Sequence, residues 1–371
     1  MGDTGALRAA RVARGWSQSE AARQLAALGL AAGAPVAAAA SLKTLLSRWE
    51  NGHAVPDPQY RALLAQLYER TPAELGIEGA PADPAVADAR ERLLAALAAA
   101  ATLRRTGLDA WWQQLAAATR LDDELGAAGA GELVRAQAEQ LEETLTHTTV
   151  PEQRSALAAV LAWTTALAGS QELDRGRPDL AWRRFERSRT AAREAQVPSA
   201  EAVAVAGLAA VLVDVGEAAT AVEVVESAGP LDSETARARL AAARAVARAA
   251  AGHAAEARAA IPTAETATPV VLDAVRPDGR PVVELADLHR WHGRTLVSLG
   301  DAGAARPLEQ SLAAGPSSAR HRAAVHADLA LALATEQPEA AARHARTARE
   351  IASGIGSERI VARLSALPRE R

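Results

Sequence analysis

Lys43, Thr44, Ser47 and Arg48 bring two cations and two hydroxyls into one short stretch of the chain. At roughly 100° per residue a helix gathers these four positions onto one polar face. Side chains of these types meet phosphate oxygens and the edges of bases, so the chemistry on offer is contact with a DNA duplex. Lys43 is the only lysine and Asn51 the only asparagine of the chain. No other constellation suggests catalysis. There is no cysteine, which removes thiolate chemistry, disulfides and Cys-ligated zinc. No nucleophile elbow, Walker glycine loop or dinucleotide fingerprint after a strand occurs, so an enzyme is not expected, and neither are catalytic residues or a cofactor.

The elements that position the polar face follow from its neighbours. Leu42, Leu45, Leu46 and Trp49 recur at helical spacing and form an apolar stripe opposite the four polar residues. Ser41 is the expected cap of this helix, and Gly52 the left-handed residue that ends it. Upstream, a first helix is expected from about Thr4 to Arg14, stopping at Gly15. Ser17-Gln18-Ser19-Glu20 reads as a capping box that starts a second, whose exposed first turn, with Gln18, suits a phosphate. Residues 29–40 form a connection longer than the usual helix-turn-helix turn. Asp57-Pro58 opens a fourth helix carrying Tyr60, Leu63, Leu64, Leu67 and Tyr68, and Thr71-Pro72-Ala73-Glu74 repeats the same grammar for a short fifth.

In order and helix phase, Leu7, Arg11, Gly15-Trp16-Ser17-Gln18 and Ala22, then Leu46-Ser47-Arg48-Trp49-Glu50-Asn51-Gly52, Pro56 and Leu75, resemble the lambda-repressor-like, XRE-family helix-turn-helix domain. The resemblance covers about the first fifth of the chain. It implies a five-helix DNA-binding head in which Lys43, Thr44, Ser47 and Arg48 contact bases while Gln18 and Asn51 hold phosphates. The long connection at 29–40 departs from the usual pattern and resembles an elongated turn of some actinobacterial members.

Composition sets the wider frame. A chain of 371 residues, 49% apolar but only 3% aromatic, builds its interior from Ala, Leu and Val, which suits closely packed helices. The net charge is −4. Residues 1–76 hold eight Lys or Arg against six Asp or Glu, so a head of +2 sits on a body of −6, consistent with nucleic acid meeting the head alone. Arg8, Arg11 and Arg14 interrupt any signal peptide, and the alanine run at 31–40 is too short to span a bilayer of ~30 Å, so a cytoplasmic protein with no membrane partner is expected.

The expected division is a DNA-binding domain at 1–77, a Gly/Pro-rich linker at 78–84 and a helical-repeat domain at 85–371. Trp111, Trp112 and Leu115 should anchor an early helix of that domain. The repeats are clearest at 151–371. Gly176, Gly216, Gly252 and Gly300 each stand between helical stretches, with Ala181, Ala221, Ala257 and Ala305 five residues on, and Phe185, Val225 and Ile261 four beyond the first three. At the fourth, Glu309 falls in register and Leu308 one position earlier. A fifth pair turns at Gln337-Pro338 with Ala341 in register. This segment resembles a tetratricopeptide superhelix, making the whole an all-α fold with a tetratricopeptide-like α-solenoid behind the head. The prolines and glycine between Thr263 and Pro281 imply an irregular loop. His289 and His292, with His321 and His326 on a later helix, raise a metal or pH-sensitive cluster, but the spacing is poor for ligation and no metal is expected.

Such a head on such a body resembles the peptide-pheromone receptors. The leading expectation is a transcriptional regulator that binds a double-stranded operator as a homodimer. Its body would take a peptide, small molecule or protein effector against His289, Arg290, Trp291 and Arg294. The body has no asparagine, the residue those receptors usually use to grip a peptide backbone. The alternative is a tetratricopeptide adaptor without operator-specific binding.

Overall fold

Side-chain caps at Ser17 and Asp57 open two of the helices of the head. The computed structural model describes residues 5–33, 36–77, 84–101, 105–229, 233–266, 285–315 and 318–367. Among these the chain is all-helical, with seventeen α-helices, one 3₁₀ turn and no strand. It divides into two compact units, 1–95 and 96–371, and α5 (Pro84–Ala101) contains the division. The expected linker at 78–84 lies outside the described residues except for Pro84, where α5 starts.

In the first unit α1 (Ala6–Ala13) ends against Gly15, whose φ of 71° is the left-handed conformation that favours glycine. Ser17 accepts from the Glu20 N–H at 3.1 Å and opens α2 (Gln18–Ala31). The other half of the expected capping box does not close: the Glu20 carboxylate accepts from Arg23 and Gln24 instead. Asp57 accepts from the Tyr60 N–H at 2.9 Å, with Pro58 in the first turn of α4 (Pro58–Tyr68). Two further expectations are corrected. Ser41 does not cap α3 (Ala39–Glu50): the helix begins two residues earlier behind Ala38, with no side-chain cap. The fifth helix of the head is a run of turns, since residues 72–76 close short backbone turns under a reciprocal Thr71–Glu74 bond and never propagate. Leu7, Leu25, Leu42, Leu46, Leu64 and Leu75 form the fully buried centre. The connection after α2 is docked where it is described: Val36 packs on Gly29, and the Ala37 N–H donates to the Tyr60 hydroxyl at 2.9 Å.

The second unit opens with α6 (Arg105–His147), which folds back on itself at Gly126, φ 60°, so that Gln137 donates to the Trp111 carbonyl. Trp111 and Trp112 are half-buried beside Leu115. Helix pairs follow: α7 (Pro151–Asp174) with α8 (Pro178–Glu194), α9 (Pro198–Asp214) with α10 (Ala218–Glu226), and α11 (Glu234–Ala250) with α12 (Ala254–Thr266). The next are α13 (Leu285–Ser298) with α14 (Ala305–Ala313) and α15 (Ala319–Leu333) with α16 (Pro338–Ile355), before a final α17 (Glu358–Leu364). Gly176, Gly216, Gly252 and Gly300 make the turns with φ between 64° and 89°.

Ala181, Ala221 and Ala257 are wholly buried, with Phe185, Val225 and Ile261 beneath them. Phe185, the only phenylalanine, fits because Gly169 and Gly207 carry no side chain: a Cβ on Gly207 would stand 2.3 Å from its ring. At the fourth turn the register shifts by one. Asp301 caps a 3₁₀ turn at Ala302–Ala304, and Ala304 with Leu308 takes the buried positions expected of Ala305 and Glu309. Pro262 does not end its helix, which continues to Thr266; the rest of the expected loop, 267–281, lies outside the described residues. The array also returns on itself. α15 and α16 pack on α6, α17 packs on α7, and the Gly126 backbone lies against Ile355.

Candidate nucleic-acid interface and an internal cavity

On α3 the apolar and polar faces separate as their spacing requires. Leu42, Leu46 and Trp49 are buried, and Trp49 leans on Tyr60 with ring centroids 5.2 Å apart. Lys43, Thr44 and Arg48 are exposed and Ser47 is half-exposed. Neither Lys43 nor Arg48 has a carboxylate partner among the described residues, so both charges remain available to an anion. The described stretch of the alanine-rich connection packs against Gly29 and Tyr60 rather than over these four side chains.

Beneath this face lies a buried ion pair. Arg11 on α1 meets Glu50 at the end of α3 through two bonds, Nε to Oε1 at 2.5 Å and Nη2 to Oε2 at 3.0 Å. Arg11 also donates to the Trp16 carbonyl at 2.7 Å, and the Gln18 amide donates to Glu50 at 2.9 Å. The side chains are 11% and 1% exposed. The hydrogen bond to Glu50 holds the Arg11 guanidinium above its ordinary value against the pull of burial. One carboxylate thus ties α1, α2 and α3 together. Gln18 and Asn51, expected at phosphates, both have structural bonds: Gln18 to Glu50, and Asn51 Nδ2 to the Ser47 carbonyl at 2.7 Å. Each uses one of the two N–H groups that a carboxamide carries.

The second unit holds a partly open cavity of about 220 Å³. Its wall is built almost entirely from α7, α9, α11, α13, α15 and α17, which before each glycine turn or at the chain's return face inward. One side is apolar, with Leu173, Val203, Ala210, Val213, Ala243 and Val246. The other carries guanidinium groups. Arg320 bonds Asp174 and, at 3.0 Å, Asp122; Arg359 bonds Asp214; Arg294 and Arg363 share Asp328 at 3.1 and 3.4 Å. Arg290 bonds Asp287 at 3.0 Å, and His321 stands 3.1 Å from the same carboxylate. Burial pushes the His321 imidazole down to about 3, despite Asp287, and pushes Arg363 down to about 10 with Arg294 beside it.

Of the residues expected to face an effector, Arg290, Trp291 and Arg294 line this cavity, and His289 is not among its lining. His321 faces Asp287 while His326 pairs with His344 at 2.9 Å, and no group of three His, Cys, Asp or Glu among the described residues is placed to hold a metal. Sequence reasoning missed Arg239, Arg320, Arg359 and Arg363. Two signals pointed to them: Asp174 and Asp214 each stand two residues before a glycine turn, and Arg359 and Arg363 are spaced four apart, like Arg290 and Arg294. No helix of the described residues is long and apolar enough to cross a membrane. The chain matches no protein-family profile and no curated protein.

Proposed function

We propose that this chain is a sequence-specific DNA-binding transcriptional regulator whose helical body takes an effector and joins two copies. The observation that carries the reading is the outward polar face of α3, where Lys43, Thr44, Ser47 and Arg48 project while Leu42, Leu46 and Trp49 lock the helix from behind. A helix presented in this way fits the major groove, and an Arg among small polar residues can pair with a guanine edge. Gln18 and Asn51 are proposed to use their remaining N–H groups on the flanking phosphates. The dimer follows from surface: a single small module buries too little for strong operator affinity, and a two-fold pair reads two half-sites. The cavity of the second unit supports the sensory role, because concave sites lined by apolar walls with a few convergent polar groups are where small ligands bind.

Footprinting the full chain on the DNA upstream of its own coding region tests this. Protection of two related half-sites about one helical turn apart is expected. Binding that is blind to sequence and collapses with salt would favour the adaptor reading.

A further inference from the structure

The guanidinium groups that line the cavity are not all in ion pairs among the described residues. Five carboxylates, Asp122, Asp174, Asp214, Asp287 and Asp328, face the guanidinium groups of Arg290, Arg294, Arg320, Arg359 and Arg363, and every one of them is in an ion pair. The sixth arginine, Arg239 on α11, lines the same cavity and has no carboxylate in ion-pair contact among the described residues. Its guanidinium lies over the Trp291 ring, 5.3 Å from the centroid, and Arg290 lies over that ring at the same distance. Arg239 is therefore the lining guanidinium left without an ion pair among the described residues, a planar group that carries five donors. Burial pulls the Arg239 guanidinium below its ordinary value, and Asp287 only partly offsets this. An anion would relieve that penalty, because a buried charge is tolerated when paired. Arg294 and Arg363 share one carboxylate, which leaves further N–H groups on the same wall. Facing them are Val203, Val213, Ala243 and Val246, which offer nothing to a polar ligand.

We infer that the cavity binds a small monocarboxylate with an apolar body, its carboxylate on Arg239 beside Trp291 and its hydrocarbon portion against the α9 and α11 wall. The inference rests on the effector reading above and gives that effector a chemical class. A carboxylate pairs Arg239, whereas a cation or neutral amphiphile leaves it unpaired. The fork of Arg239 suits a carboxylate, which accepts two parallel N–H bonds.

The test uses the full chain without DNA, so its outcome is independent of operator binding. The probe is 1-anilinonaphthalene-8-sulfonate, an anion on an apolar body, with N-phenyl-1-naphthylamine as its neutral counterpart. Saturable binding of one sulfonate dye per chain is expected, with quenching of tryptophan fluorescence. Octanoate should displace it at least tenfold more effectively than octanol or octylammonium. Arg239→Met should weaken the anionic dye at least tenfold and leave the neutral one unchanged, and Arg239→Lys should fall between. Equal displacement by octanol or octylammonium would overturn the inference, and so would absence of saturable binding to the unaltered chain. If Arg239→Met fails to fold, the competition series on the unaltered chain decides. A pocket that passes while the footprint fails would remove the regulator and leave the site, and the reverse result would do the opposite.

Discussion

Glu50→Ala removes the one carboxylate on which α1, α2 and α3 converge. Three hydrogen bonds disappear: Arg11 Nε at 2.5 Å, Arg11 Nη2 at 3.0 Å and the Gln18 amide at 2.9 Å. Arg11 keeps the Trp16 carbonyl but is left as a charge only 11% exposed with no counter-ion. Removing one partner of a buried pair typically costs about 3–5 kcal/mol, against about 0.2–1 kcal/mol for an exposed pair. The 1% exposure of Glu50 places this pair at the buried end. A loss of about 3–5 kcal/mol is a large share of the ~5–15 kcal/mol that holds a domain folded, so α3 should lose its frame and DNA binding should go with it. Because the chain has two units, the measurement must be local: hydrogen exchange read by mass spectrometry over 6–50, as a function of urea. Arg11→Met with Glu50→Leu should recover most of the loss, since an apolar pair of similar volume leaves no charge uncompensated. A loss below about 1 kcal/mol for Glu50→Ala, or a double variant no better than the single one, would refute the reasoning.

Arg48→Ala should cost about 1–3 kcal/mol at the cognate site and relax preference at one base pair, measured by titrating single-base operator variants; an equal loss on every sequence would reassign Arg48 to phosphate. Gly207→Ala places a methyl 2.3 Å from the Phe185 ring and should destabilise the second unit by about 1–3 kcal/mol in urea denaturation, with relief by Phe185→Leu. His321 gives a pH dependence. Its folded value of about 3 lies below the unfolded value of 6.5, so the unfolded chain binds the extra proton between them and stability falls as pH drops through that window. From pH 7 to pH 5 the chain should lose about 2 kcal/mol more than His321→Gln does, and equal losses would show that His321 is not held neutral.

Helix boundaries were legible where a side chain performs the capping, as at Ser17 and Asp57, and where a glycine must turn left-handed, as at Gly15, Gly52 and the four body turns. They were misread where backbone alone decides. Ala38 starts α3 with no cap, so Ser41 looked like the first residue able to do so. Thr71 and Glu74 satisfy each other's capping groups but Gly76 and Ile77 close turns before a helix can propagate. The polar face of α3 is a local pattern within six residues and can be read from spacing. The cavity cannot: Arg239, Arg290, Arg320 and Arg359 lie on four helices, and only the return of α15 and α17 onto α6 and α7 brings them together. Arg290, Trp291 and Arg294 line the cavity from one turn of α13, a local grouping that spacing can suggest.

The most direct test is selection of duplexes from a random pool by the full chain, with Lys43→Ala/Arg48→Ala as the comparison. Enrichment of a two-fold related motif by the unaltered chain, lost in the double variant, is the predicted result. A pool that stays random, or the same motif enriched by the variant lacking both cations, would contradict the claim that α3 reads DNA.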